Sequence, residues 1–144
     1  MFNKSQAIED FTGGVTSELL TSDILDRDKF WTDELMHVNT DFLFGCGTGL
    51  FSNWLYPSYK GPPRDRLGIA ENHSYSIMDA REVEGHRLLL VRNPWGKREW
   101  RGAWSDGSNE WSAEWMEKLD HKFGNDGVCP FPFSFSLPGT NSIY

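Results

Sequence analysis

Apolar and polar residues alternate most regularly in the middle of the chain, where the pattern predicts two β-strands. The stretch HSYSIMDAREV, residues 73–83, alternates with period two and carries β-branched and aromatic side chains, which is typical of a strand. A polar turn, EGHR, is followed by LLLVRNPW at residues 88–95, whose continuous apolar start indicates burial on both faces. The sequence therefore predicts a hairpin over residues 73–95.

The segment before this hairpin, residues 16–38, is predicted to be mostly helical. Thr21 or Ser22 could cap a helix there, because a hydroxyl can accept from the free N–H groups of the first turn. Asp23 and Asp26 would then lie near the positive end of the helix dipole.

The remaining segments give weaker signals. DFLFGCGTGL, residues 41–50, predicts a short apolar strand followed by glycines at alternate positions, and the Pro-, Gly- and Tyr-rich residues 52–68 predict a loop. Residues 112–123 predict a short helix with its charged side chains outward. The tail, residues 129–144, contains three prolines and is predicted to be a poor strand or helix.

Composition limits the class of protein. A 15% aromatic content in 144 residues argues against disorder and fits a single domain with a core. The net charge of −7 and the lack of a basic stripe argue against a nucleic-acid partner. There is no apolar run of the ~20 residues that a membrane span needs, and no signal-peptide core at the N-terminus. We therefore expect an intracellular, cytoplasmic protein.

His73 and Asn93 are the candidate catalytic residues. Two strands joined by a tight turn would bring His73, before the first, and Asn93, after the second, to one end of the sheet. In a Cys–His–Asn hydrolase the histidine takes and returns the thiol proton, and the asparagine carbonyl orients its ring. The residues alone leave an ordinary alternative open, namely a polar residue entering a strand and a simple Asn–Pro turn.

Three stretches resemble the calpain family of papain-like cysteine proteases: IEDFTGGV at 8–15, HSYSIMDAREV at 73–83 and RNPWGKREWRGAWSD at 92–106. The resemblance covers roughly residues 8–128. It implies an α+β, β-rich fold, the antiparallel barrel or sandwich half of a papain-like core with short flanking helices. It also implies three segments: 1–15 as the tail of the first protease subdomain, 16–128 as the second subdomain, and 129–144 as a divergent, poorly ordered C-terminus.

By this resemblance His73 is the general base, Asn93 its orienting partner, and Trp95 a residue beside the active-site cleft rather than a core residue. We expect His73, as an open-cleft side chain, to have few packed partners. The family's nucleophile motif, Q-G-x-x-G-D-C-W, occurs nowhere in the chain. Cys46 lacks a preceding glutamine and a following helix, and Cys129 lies among prolines, so neither is expected to be the nucleophile.

The sequence therefore predicts a partial calcium-dependent cysteine endopeptidase that is inactive alone, with truncation of a larger protease as the simpler origin. Its expected partners are the first protease subdomain and, in the full-length protease, a polypeptide substrate. The alternative is a noncatalytic module, derived from such a core, that binds calcium or protein.

Acidic residues after the hairpin are the candidate calcium ligands. They form no EF-hand pattern, and spacing alone favours solvated turn carboxylates. The resemblance instead implies a Ca²⁺ site in loops of another type. Its ligands would be three carboxylates and two backbone oxygens, contributed by Glu99, Asp106, Asp126, Gly124 and Val128.

Overall fold

Six strands form one antiparallel sheet in the computed structural model, which describes residues 4–49, 67–133 and 140–143. The strand order is β1–β6–β2–β3–β4–β5. In chain order the strands are β1 (Leu19–Leu20), β2 (Phe44–Thr48), β3 (Ser74–Val83), β4 (His86–Arg92), β5 (Val128–Pro132) and β6 (Thr140–Ile143).

Three α-helices and two short 3₁₀ turns accompany the sheet within the described residues. The helices are α1 (Lys4–Thr12), α2 (Arg27–Asp33) and α3 (Ala113–Leu119), and the 3₁₀ turns are Thr21–Asp23 and Leu35–His37. Helix α3 confirms the short helix predicted in residues 112–123, and the side chain of Ser112 caps it by accepting from Trp115 N.

The predicted cap of the helix before the hairpin is wrong. Thr21 and Ser22 lie in the first 3₁₀ turn instead, and Asp26 caps α2 through a 2.9 Å bond in which its carboxylate accepts from Lys29 N. A carboxylate at this position both accepts a free N–H and interacts favourably with the helix dipole, so Asp26 is the better cap.

The central hairpin is confirmed as β3 and β4. Its turn is tighter than predicted, because only Glu84 and Gly85 separate the strands, with φ of 50° and 78°. A β-bulge between Ile77 and Asp79 shifts the register of β3. The alternation therefore changes phase, and Ala80, rather than Asp79, continues the buried face begun by Ile77.

Side chains cover both faces of the sheet, which explains the continuous apolar run of β4. On one face Leu89 and Val91 join the main core, to which α2 and the following 3₁₀ turn contribute Phe30, Trp31 and Leu35. On the other face Leu88 packs with Trp104 and Leu119, together with the partly buried Val83, Trp111 and Trp115. This second cluster places α3 and the tryptophan-rich segment over β4.

Strand β5 corrects the prediction for the tail. Pro130 and Pro132 were expected to prevent pairing, yet both lie in a strand paired with β4. A bond from Asn93 N to Gly127 O (2.7 Å) sets the register. In β5 the odd-numbered residues therefore form the hydrogen bonds to β4, and the even-numbered residues do not. The two proline nitrogens then face the outer edge of the sheet, where no donor is needed.

The end of the chain also contributes to the sheet. Strand β6 lies between β1 and β2, so a segment predicted to be a poor strand occupies an inner position. The loop predicted at residues 52–68 lies, except for its last two residues, outside the described residues. The predicted division at residues 15 and 128 stays a prediction.

These elements confirm the predicted fold class: the chain is an α+β, β-rich half of a papain-like core. Its strands position the candidate catalytic residues, since β3 begins directly after His73 and β4 ends directly before Asn93.

Candidate functional site

His73 and Asn93 lie at the same end of the β3–β4 hairpin and contact each other. His73 Nε2 and Asn93 Oδ1 are 2.8 Å apart. Because an amide oxygen only accepts, the ring must carry its proton on Nε2 and donate it to Asn93. The arrangement holds the imidazole in one tautomer and one orientation.

The amide of Asn93 is itself fixed by a full set of hydrogen bonds. Its Nδ2 donates to Lys97 O (2.9 Å) and Arg98 O (3.0 Å), and its Oδ1 also accepts from Trp95 N (3.1 Å). The residue is 2% exposed. The two carbonyl acceptors require the NH₂ group on their side, so the oxygen must face His73.

The ring of His73 packs between two aromatic side chains. Trp95 lies 4.1 Å away, centroid to centroid, at 36°, and Tyr75 lies 4.9 Å away, edge to face at 87°. The expectation of few packed partners for His73 is therefore wrong. Trp95 is 51% exposed, so it lies beside the histidine at the surface and not in the core.

The backbone of His73 is anchored to β2 by Thr48. The buried Thr48 hydroxyl accepts from His73 N (3.0 Å) and donates to Ala70 O (2.7 Å), and Thr48 N donates to His73 O (2.9 Å). The hydroxyl of Tyr75 accepts from Ala70 N (2.9 Å). The segment that leads into the histidine is thus fixed before β3 begins.

Both cysteines of the chain, Cys46 and Cys129, are buried, and neither is part of a disulfide. Burial raises the pKa of the Cys46 thiol from 9.0 to about 12. Burial is also the main cause that raises the pKa of Cys129 to about 11. Since the thiolate is the nucleophilic form, neither side chain is suited to attack a carbonyl near neutral pH.

The three candidate calcium carboxylates all bond to the backbone of one segment, residues 124–128, which we call the acidic-site loop. Glu99 accepts from Gly127 N (2.8 Å), Asp106 from Gly124 N (2.8 Å) and Asp126 from Val128 N (2.9 Å). Glu99 and Asp106 also line an open depression that includes Asn125 of this loop. The loop therefore collects all three carboxylates.

A shared effect on Cys129 supports this grouping. The negative charges of Glu99, Asp106 and Asp126 all act to raise the pKa of the Cys129 thiol. The carboxylates do not converge on a single point, since the described residues contain no group of three or more His, Cys, Asp or Glu side chains arranged to hold a metal ion.

Gly127 connects the acidic-site loop to the His73–Asn93 pair. It donates to Glu99 through its N–H, while its carbonyl accepts from Asn93 N (2.7 Å). Its Cα also packs closely on the turn after β4, because a Cβ there would lie 2.9 Å from Asn93 O and 3.0 Å from two Gly96 atoms. A shift of this loop would therefore move the backbone of Asn93.

Sequence reasoning missed Thr48, Tyr75, Gly127 and His121. Two of them did give a signal. The alternation in β3 would place Tyr75 on the buried face, and the Asn-Asp-Gly run is typical of a turn at Gly127. Thr48 and His121 gave no local signal. Their partners His73 and Asp106 are 25 and 15 positions away, and only the folded chain brings them together.

In the described part of the chain, no helix has the length and apolar character that crossing a membrane requires.

Comparison with known proteins adds to this geometry. The family model described as calpain family cysteine protease matches residues 1–135. The chain is 37% identical to the calpain-type cysteine protease DEK1 of Arabidopsis thaliana, over 80% of this chain and 5% of that protein. It is 32% identical to calpain-9 of Rattus norvegicus, over 85% of this chain and 18% of calpain-9. The chain thus spans less than a fifth of either relative.

Proposed function

The chain belongs to the calpain family of cysteine proteases, and we propose that it supplies the general base His73 and the orienting residue Asn93 of a cysteine endopeptidase. The observation that carries this proposal is the 2.8 Å contact between His73 Nε2 and Asn93 Oδ1. Family membership implies polypeptides as substrates, and the first protease subdomain would be the partner that completes the site.

In this mechanism the two ring nitrogens have separate tasks. Nε2 donates to Asn93 and stays protonated, so Nδ1 takes the proton from the nucleophilic thiol. The thiolate then attacks the peptide carbonyl, and the imidazolium returns the proton to the leaving amine. Asn93 is a neutral amide, so it orients the ring without adding a negative charge beside it.

We infer that the nucleophilic thiol is not one of the two in this chain. Cys46 is 5% exposed within β2, and Cys129 is equally buried in β5. The raised pKa of each thiol means that less than about one part in a thousand is ionised near pH 7. The chain alone is therefore proposed to be inactive as a peptidase.

We further propose that the acidic-site loop is part of a calcium site. Carboxylate and backbone oxygens are the ligands that Ca²⁺ prefers, and three carboxylates already gather at this loop. The donor chemistry therefore fits, with Glu99, Asp106 and Asp126 as side-chain ligands and Gly124 and Val128 as backbone ligands. A bound cation would neutralise like charges there and hold the loop in place beside Asn93.

The test combines this chain with a separately expressed, cysteine-bearing first half of a calpain core and measures hydrolysis of an unfolded protein in the presence of calcium. We expect no hydrolysis by the chain alone and measurable hydrolysis by the mixture. His73→Ala should abolish it. His37→Ala is the matched control, because the exposed side chain of His37 pairs with the exposed Asp41, so its loss should leave hydrolysis unchanged.

Two results would contradict the proposal. Hydrolysis by the chain alone that disappears in Cys46→Ala would make Cys46 the nucleophile. Hydrolysis by the mixture that survives in His73→Ala would remove the histidine from the mechanism. A chain that binds calcium and the first half but never supports hydrolysis would favour the alternative, a noncatalytic binding module.

A further inference from the structure

We propose that His121 is a positioning residue for Asp106, holding this carboxylate in the orientation that a cation at the acidic-site loop requires. The inference rests on the calcium site proposed above and assigns a role to a side chain outside the ligand set. Its basis is a partly buried contact of 2.7 Å between His121 Nε2 and Asp106 Oδ1.

Both oxygens of Asp106 are engaged by donors. Oδ1 contacts His121 Nε2, and Oδ2 accepts from Gly124 N at 2.8 Å. An ionised carboxylate only accepts, so the imidazole must donate its Nε2 proton. The side chains are 9% exposed for His121 and 17% for Asp106, which shields this bond from competing water.

His121 is held in turn by the aromatic residues around it. Its ring stacks on Trp111 at 4.7 Å and 18°, and Phe123 meets it edge to face at 5.9 Å. The indole nitrogen of Trp111 donates to Ser105 O (2.9 Å), the carbonyl immediately before Asp106. Trp111 therefore fixes both partners, the imidazole by stacking and the aspartate backbone by a hydrogen bond.

The bonds leave Asp106 able to accept a cation. A carboxylate has about four lone-pair sites, and His121 and Gly124 occupy two of them. The others remain for a metal, while the two donors prevent rotation of the group. Residues that bond to metal-ligating side chains typically change metal affinity by about 10–100-fold when they are replaced.

A purely structural role would be to tie the end of α3 to the loop at Asp106. His121 follows directly after Asp120, whose left-handed backbone (φ 47°) ends α3, and its N–H donates to Met116 O (3.1 Å). That role predicts a loss of folding stability when His121 is replaced, with calcium affinity unchanged among variants that remain folded. The positioning role predicts the opposite result, namely weaker calcium binding with little change in folding stability.

The experiment is a calcium titration by calorimetry on the full chain, with melting temperature without calcium measured in parallel. His121→Phe keeps a ring that can stack on Trp111 but removes the donor, and His121→Gln keeps a donor but removes the ring. We expect His121→Phe to weaken calcium binding by about 10–100-fold. His121→Gln should recover most of that loss. Should the phenylalanine variant not fold, His121→Met, which also lacks a donor, takes its place.

The Asp106→Ala variant separates the two proposals. If the unmodified chain binds calcium and Asp106→Ala does not, the site exists, and an unchanged affinity in His121→Phe would overturn the role of His121. Weak binding in both His121→Phe and His121→Gln would show that a donor at this position does not restore calcium affinity, which would also overturn it. If the unmodified chain binds no calcium, the proposed site fails, and the inference about His121 fails with it.

Discussion

The His73–Asn93 pair and the acidic-site loop are adjacent, but they are built in different ways. His73 and Asn93 bond to each other through their side chains, from the ends of two paired strands, and Asn93 is almost fully buried. The three carboxylates bond to backbone N–H groups of a loop and not to one another. The hydrogen bonds of the first pair are satisfied without any ligand, whereas the second region places like charges together, and a bound cation would offset their repulsion.

Gly127 is the point at which the two regions meet, so it offers the strongest way to disturb both. Gly127→Ala should cost roughly 2–5 kcal/mol of unfolding free energy, from a left-handed backbone (φ 80°) and a crowded Cβ. The crowding atoms belong to the backbone of Asn93 and Gly96, which cannot move independently of the turn. Chemical denaturation of the full chain measures the loss.

Gly85→Ala is the matched control for this prediction. Gly85 has nearly the same φ, 78°, but a Cβ there would meet no atom of the described residues within 4 Å. It should therefore cost only the backbone strain, roughly 1–2 kcal/mol. Equal losses of unfolding free energy in the two variants would mean that the contact of Gly127 with Asn93 and Gly96 adds nothing to stability. The two regions would then be independent.

A second prediction concerns the strands on the His73–Asn93 side of this comparison. It tests whether water is excluded from Cys46, which lies in β2 beside β3. Burial raises the pKa of Cys46 from 9.0 to about 12. Between these two pH values the folded state therefore keeps the thiol proton, whereas the unfolded chain has lost it. The stability from the protonated thiol is complete below pH 9 and is lost as the pH rises toward 12. The slope of this contribution is about 1.4 kcal/mol per pH unit.

The measurement is the unfolding free energy of the unmodified chain and of Cys46→Ala and Cys46→Val between pH 8 and about pH 10.5, inside the window set by the shifted pKa of Cys46. Both variants lack the proton, but valine keeps more of the side-chain volume, so a packing effect would separate them while the proton effect would not. Curves for all three proteins that fall in parallel would show that Cys46 is more accessible to water than its burial indicates.

The sequence predicted the contact between His73 and Asn93 better than the contacts of the acidic-site loop, for a physical reason. Alternating residues define a strand and its faces locally, so β3, β4 and the meeting of His73 with Asn93 followed from the hairpin. The bulge at Met78 and the shortening of the predicted turn to Glu84 and Gly85 were not predicted, because both depend on how the two strands pair. These details adjust the register without changing which residues meet.

Contacts between distant segments set the parts that the sequence could not predict. The prolines of β5 are tolerated because the strand lies at the edge of the sheet, and a single sequence does not reveal strand order. His121 reaches Asp106 only after α3 ends and the chain turns back. The family resemblance supplied candidate ligands at the acidic-site loop, but not the donors that hold them.

The smallest effect is expected at Asp126, and it tests whether the acidic-site loop depends on its charges. Asp126 is exposed, and its side chain accepts from Val128 N at 2.9 Å, a bond that the amide oxygen of asparagine can also make. Asp126→Asn should therefore change the unfolding free energy without calcium by less than about 0.5 kcal/mol. With calcium, the variant should gain less stability than the unmodified chain, because stabilisation follows binding to the folded state. Thermal unfolding with and without calcium measures both effects.

A loss above about 1.5 kcal/mol without calcium, the size typical of a buried charge-assisted bond, would mean that the loop needs the carboxylate itself. The acidic-site loop would then be held by its own hydrogen bonds without a ligand, as the His73–Asn93 pair is, and the contrast between the two regions would disappear.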